Sequence, residues 1–264
     1  MPIELIKDMS DPRLRPFLAM KDRELAREGG KFIAEGEHLV RRLLASGYAT
    51  ESVLVAQRRA DEMAGVVPDD VPLLVAPAEM LNRIVGFKFH SGVLACGQCG
   101  PARSLEQTLP TNPRHLRIVV CEDISNAENL GGIVRISAGF GADLLVLGQR
   151  CINPFFRQCI RVSMGTIFRL PLVQSKDLLA DLAKLRDRWN VELIATVLDA
   201  DGQPLARARP SPRVGLLFGG EAQGLTPAAI AACDRRLTIP MKLGTDSLNV
   251  AVAAGIFLYH FCSE

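Results

Sequence analysis

What this sequence lacks most plainly is a charge of one sign. Its 31 Lys and Arg stand against 29 Asp and Glu, so the whole chain offers little field to a polyanion, and any basic face must be local. It also lacks an apolar run long enough to span a bilayer, and the opening stretch MPIELIKDMSDPRLRPF has no basic segment followed by an apolar core and a small-residue cleavage site. The expectation is a cytoplasmic protein with no membrane partner. A second Cys-x-x-Cys is missing as well: Cys96 and Cys99 form one such pair, and His90 would add only a third ligand, short of the four that a structural zinc takes. The odd count of 7 cysteines, in apolar surroundings such as those of Cys121 and Cys262, reads as buried thiols in a reducing compartment, with no metal and no structural disulfide. Internal repeats and low-complexity tracts are absent too.

What is present is core-forming material, 48% hydrophobic residues, enough for one large core or two modest ones. Leu14, Phe17, Leu18 and Leu25, with charges between them, predict an amphipathic helix ending at Gly29 and Gly30. Short apolar runs then alternate with helical stretches, which predicts a small α/β domain over residues 1–98. Residues 99–114 contain Pro101, Pro110 and Pro113, few large apolar side chains and no periodicity, the pattern of an exposed linker. Alternation resumes over 115–264, with strands at 115–121, 143–148, 167–173, 191–197 and 213–219. Helices fall at 129–141, at 153–165 with Pro154 in the first turn, and at 175–189. The fold class is α/β, a mostly parallel sheet covered by helices.

The last element, residues 246–261, is apolar nearly all round, with Leu248, Val250, Val252, Ile256, Phe257 and Leu258 spread over several faces. Such a helix is buried on both sides, its outer face covered either by a second protomer or by a deep position inside the monomer.

Three clusters carry chemistry. Asn129, Gly131, Gly132 and Arg135 follow a strand, where glycines let a ligand approach the backbone and free N–H groups attract anions, or else simply make a tight turn. FGGEAQGL (218–225) follows the strand at 213–219 and places Glu221 among three glycines where open α/β sheets bind ligands, or forms a flexible loop. IPMKLGTDSLNV (239–250) brings Ser247 and Asn249 to the mouth of the last helix, where Asp246 or Ser247 would also serve as an N-cap.

In this order, Asn-x-Gly-x-x-x-Arg, Phe-Gly-Gly-Glu-x-x-Gly-Leu and Ile-Pro-Met-x-x-Gly-x-x-Ser-Leu-Asn-Val resemble the three signature motifs of the SpoU/TrmH family of RNA methyltransferases. The resemblance covers residues 115–262. The N-terminal half, chiefly residues 11–40, is similar to the small RNA-binding α/β domain often fused ahead of that catalytic domain. Ala251 and Ala222 depart from the residues frequent in the family.

The resemblance implies a C-terminal domain tied in a trefoil knot, a homodimer, and S-adenosylmethionine held by Phe218, Gly219, Gly220, Gly224, Ile239, Met241, Ser247 and Leu248. It implies methylation of a ribose 2′-hydroxyl in ribosomal or transfer RNA, with Arg135, Asn129, Glu221, Ser247 and Asn249 as catalytic residues. Arg135 would hold a phosphate and stabilise the oxyanion, Asn129 would orient the ribose or Arg135, and Glu221 would steer Arg135 or the sugar. Ser247 and Asn249 would complete the pocket. Arg13, Arg15, Lys21, Arg23 and Lys31 are the candidate phosphate contacts of the first domain. A catalytically silent RNA-binding protein and a base methyltransferase are the alternatives. Arg135 and both loops speak against the first, and the Ser-Leu-Asn-Val run against the second.

Overall fold

A computed structural model of the chain describes residues 3–18, 22–27, 30–198 and 202–262. Lys21 and Gly29 lie outside the described residues. The chain forms two compact units, one of Met1–Pro101 with Phe155–Phe168 and one of Ala102–Pro154 with Arg169–Glu264.

The first unit runs β1 (Ile3–Leu5), α1 (Arg15–Leu18), α2 (Asp22–Arg27), β2 (Lys31–Glu35), α3 (Glu37–Leu44), β3 (Ala49–Ala56), α4 (Ala60–Ala64), β4 (Leu73–Ala76), α5 (Ala78–Val85) and β5 (Val93–Gln98). Its five-stranded sheet has the order β1-β4-β3-β5-β2 and is mixed, with β2 and β3 antiparallel to β5. The single helix expected from residue 11 onward is broken. A 3-10 turn at Pro12–Leu14, capped by the Asp11 carboxylate, precedes the short α1. Pro12 and Pro16 have no N–H to give, so each can stand only near a helix start. The periodic apolar residues still do their expected work: Leu14, Phe17 and Leu25 pack with Ile33, Leu54, Leu74 and Leu94 of the sheet in one core.

The second part of the chain adds α6 (Leu105–Thr108), β6 (Leu116–Cys121), α7 (Ala127–Gly139), β7 (Leu144–Leu147), α8 (Arg157–Val162), β8 (Leu172–Gln174), α9 (Leu178–Trp189), β9 (Glu192–Thr196), β10 (Gln203–Pro204), β11 (Arg213–Phe218), α10 (Pro227–Ala231), β12 (Arg235–Thr238) and α11 (Val250–Cys262). The seven-stranded sheet has the order β10-β12-β9-β11-β6-β7-β8 and every pairing in it is parallel. In β6, Leu116, Ile118 and Val120 join the core on one face while Val119 and Cys121 are buried on the other, as a sheet covered on both sides requires.

Three local expectations are corrected. Residues 99–114 are not a bare linker: Ser104 and Gln107 form a capping box for α6, Leu105 and Leu109 enter the core, and the Trp189 indole N–H donates to the Pro110 carbonyl at 2.8 Å. Pro154 precedes α8, which starts at Arg157, instead of opening it. The strand expected at 167–173 is a 3-10 turn at Thr166–Phe168 and then only β8.

The segment carrying α8 completes the first unit. Phe155 and Phe168 stack on the Phe32 ring with centroids 5.1 and 5.6 Å away, and Tyr48 meets Phe155 edge-on at 5.4 Å. Gly97 makes this possible, because a Cβ there would stand 2.4 Å from the Phe32 ring. Arg157 pairs with Asp22 at 3.1 Å and with Glu35 at 3.4 Å.

Candidate active site

Parallel pairing aligns Phe218 with Cys121, so the loops leaving β11 and β6 start side by side. Gly219 and Gly220 let them touch. A Cβ on Gly219 would lie 2.0 Å from the Gly224 carbonyl carbon, and one on Gly220 would lie 2.6 Å from the Asp123 oxygen. The loop folds back on itself through a Gly224 N–H donated to the Gly220 carbonyl at 2.9 Å. Between these glycines stands Glu221.

The Glu221 carboxylate accepts from Asn129 Nδ2 at 2.8 Å, from the backbone N–H groups of Asn126 and Ser125 at 3.3 and 3.4 Å, and from the Ser125 hydroxyl at 3.3 Å. Desolvation would raise this carboxyl, but the hydrogen bonds from Asn129 and the backbone outweigh it and hold it below the usual carboxylate range. Glu221 is therefore ionised, an acceptor only. Asn129 in turn accepts at Oδ1 from Asn249 Nδ2, 2.8 Å away. The chain Asn249 to Asn129 to Glu221 thus joins all three sequence motifs, each amide with its N–H₂ toward the carboxylate end.

This geometry corrects the reading of the first motif. Asn126 caps α7 by accepting from Glu128 N–H and Asn129 N–H, and Glu221 takes the Ser125 and Asn126 N–H groups just before it, so most donors at the helix start are already engaged within the protein. Gly131 and Gly132 lie inside α7 and not in a turn. Gly132 lets α7 approach α11, since its Cβ would come 3.0 Å from the Ala251 Cβ. The cap of α11 is Asn249, whose Oδ1 accepts from Ala251 N–H at 2.9 Å and Val252 N–H at 3.3 Å, in place of Asp246 or Ser247. Glu221 contacts Asn129 rather than Arg135. Arg135 is exposed on α7 and makes no ion pair or hydrogen bond with a described residue. Ser247 is also exposed.

The two functions of Asn249 can be separated. Asn249→Asp keeps the capping oxygen but replaces the donor with a second acceptor facing Asn129, so thermal stability should hold while methylation falls. Asn249→Ala should lose both, at about 1 kcal/mol of stability for the cap. Thermal unfolding and a single-turnover assay of the two variants check this.

A cavity of about 60 Å³ is lined by Ile239, Met241 and Leu248, as named from the sequence, together with Thr196, Val197, Leu198, Ala253 and Phe257. The latter five had no motif to mark them. Phe218 does not face this space directly. Its ring is buried and meets Phe257 edge-on at 5.9 Å. Leu248 lines the cavity and the next residue, Asn249, heads the hydrogen-bond chain, so one loop serves both.

Residues 116–259 match the SpoU rRNA methylase family. The chain belongs to this family. An uncharacterized tRNA/rRNA methyltransferase of Mycobacterium bovis is 35% identical over 97% of this chain and 91% of its own length. The 23S rRNA (guanosine-2′-O-)-methyltransferase RlmB of Acinetobacter baylyi is 28% identical over 75% of this chain and 80% of its own. In fold, this SpoU-family chain is like the AdoMet-bound rRNA methyltransferase from Sinorhizobium meliloti, with a TM-score of 0.84 at 22% identity, covering 98% of this chain and 97% of that one.

In the first unit, the candidate RNA contacts differ among themselves. Arg13 is held by the carboxylates of Asp11 and Glu4, which push its pKa up, while hydrogen bonds from Arg13 hold the Asp11 carboxyl down at about 2. Lys31 pairs with Glu51 at 2.7 Å. Arg15 and Arg23 are exposed. Burial pushes the Cys96 thiol up to about 12 and the Cys99 thiol to about 11, so both are protonated at neutral pH. Among the described residues no helix is long and apolar enough to cross a membrane.

Proposed function

We propose that this chain methylates a ribose 2′-hydroxyl of structured ribosomal or transfer RNA, in the cytoplasm, with S-adenosylmethionine as donor. The observation that carries the reading is the Asn249–Asn129–Glu221 chain, which draws the three motifs together next to an apolar cavity. The relative RlmB, whose name specifies 2′-O methylation of guanosine, supports ribose as the acceptor.

The residues present fit the cofactor. Ile239, Met241, Leu248 and Phe257 give the slot the apolar lining that an adenine ring takes, and at about 60 Å³ it has to widen between the loops at 218–225 and 239–249 to admit the whole adenosyl group. When bound, S-adenosylmethionine supplies a methyl group on a sulfonium centre, an electrophile for a ribose oxygen. A guanidinium offers five N–H donors and no acceptor, so Arg135 does not act as the base. Its unpaired guanidinium grips an RNA phosphate in a planar fork and stabilises the ribose oxygen as negative charge develops there. Glu221 has its oxygens engaged and serves to fix Asn129, and the proton leaves to the RNA phosphate or to water.

The first unit, residues 1–98 of the sequence with the segment around α8, serves as the RNA-positioning domain, with the exposed Arg15 and Arg23 among its candidate phosphate contacts. The second copy of the chain belongs on α11. Val252, Ile256 and Tyr259 form one stripe there that is 52%, 39% and 64% exposed, and Tyr259 meets the half-exposed Phe140 edge-on at 6.3 Å. An apolar stripe of this kind on a helix already packed on its other face is an interface waiting for a partner. Val252→Asp with Ile256→Asp should convert a dimer into a folded monomer in sedimentation-velocity experiments.

The function itself is tested by mapping ribose methylation across ribosomal and transfer RNA in cells with and without the protein. Loss of one 2′-O-methyl group, restored by the wild-type gene but not by Arg135→Ala, is the expected result. An unchanged ribose map together with a lost base methyl group would reassign the acceptor.

A further inference from the structure

We infer that the turn after α5 is a stacking platform for an unpaired RNA nucleotide, with Phe87 as the face on which the base lies. This rests on the reading of the protein as an RNA methyltransferase and adds a contact that lies outside its three motifs.

The turn is a built feature. Gly86, in the left-handed conformation at φ 81°, ends α5, its N–H donating to the Asn82 carbonyl at 2.9 Å. The Asn82 side chain then accepts from Phe89 N–H at 2.7 Å. On the far side the Arg58 guanidinium donates to the His90 carbonyl, and that of Arg59 to the Ser91 carbonyl at 3.0 Å. A turn held at both ends in this way presents Phe87 to solvent at 55% exposure, propped edge-on against Phe89 at 6.0 Å. A large aromatic ring left open on a fixed turn offers a flat apolar face to a partner.

Charge decides which partner. Arg83, Lys88, His90 and Arg58 are all exposed on or beside this turn, and no Asp or Glu occurs in the sequence between Glu79 and Glu106. An apolar protein surface would not call for the cations Arg83, Lys88 and Arg58, and a base carrying its own phosphate does. Single-stranded RNA is read in this way: bases splay out and stack on aromatic rings while Lys and Arg hold the backbone. A paired base already stacked inside a helix is not available, so the platform selects a loop, bulge or end.

The test uses the full chain and a labelled single-stranded RNA 12-mer of mixed sequence, with the same strand in a duplex as control. Phe87→Ala should weaken single-strand binding by about 5- to 150-fold, the effect of losing one stacked base, and leave duplex binding unchanged. Lys88→Ala should weaken binding to both and flatten the salt dependence by about one phosphate contact. Phe87→Trp should retain affinity and show quenched emission as RNA is added, against a background from Trp189, which is buried. Equal affinity of Phe87→Ala and wild type for the single strand, or an unquenched Trp at saturation, would overturn the platform. If the wild type still methylates RNA, the assignment of function stands without it. A wild type that neither binds nor methylates RNA would overturn both.

Discussion

Arg135→Ala should lower the single-turnover rate on substrate RNA by about 100- to 1000-fold, the usual cost of removing one donor that stabilises a developing oxyanion. Folding and S-adenosylmethionine affinity should be nearly unchanged, for a structural reason: Arg135 is exposed on α7, bonds to no described residue, and is not among the residues lining the cavity. Arg135→Lys should recover little of the rate, because a point charge cannot reproduce the two parallel N–H groups of a guanidinium on a phosphate. Rapid-quench kinetics and calorimetry on the same preparations separate the two effects. A near-normal rate in the alanine variant would make Arg135 an ordinary surface residue.

Gly219→Ala should be severely disruptive for the addition of a single methyl group. The added Cβ would meet backbone atoms of the same loop, at 2.0 Å from Gly224 C and 2.1 Å from Leu225 N, so no side-chain rotation can relieve it. The loop must open, carrying Glu221 away from Asn129. We expect a loss of about 3 kcal/mol in stability, at the upper end for overpacking, together with loss of detectable cofactor binding. Gly224→Ala is the control. Gly224 has φ +67° but open space around its Cβ, so that variant should cost only about 1–2 kcal/mol of backbone strain and keep binding. Equal behaviour of the two variants would show that the clash at Gly219 is not what shapes the site.

The parallel sheet of the second unit was legible because buried strands between helices leave unmistakable apolar runs: residues 115–121 were expected as a strand and β6 spans Leu116–Cys121. The site was legible as three separate clusters. That Glu221, Asn129 and Asn249 bond in series was not, since periodicity says nothing about which loops meet. Gly132 illustrates the limit well. A glycine pair after a strand reads as a turn for a ligand, yet here it sits within α7 and admits Ala251 of α11, a contact 119 positions away in sequence. The helix start misled for a related reason, because the groups that satisfy it are the Asn126 side chain and a carboxylate from a distant loop. The segment Phe155–Phe168 was equally hidden. Its aromatic residues fit any amphipathic helix, and only the stack on Phe32 shows that they complete the first unit. The trefoil knot implied by the family resemblance likewise leaves no mark in the hydrophobic pattern.

The central claim, methyl transfer to ribose, is tested most directly by incubating the purified chain with methyl-labelled S-adenosylmethionine and RNA from cells lacking the protein, then digesting the RNA to nucleosides and locating the label by mass spectrometry. The account predicts label on a 2′-O-methylnucleoside at one position in ribosomal or transfer RNA, abolished in Arg135→Ala. Label confined to a base, or label on ribose that persists undiminished in that variant, would contradict it.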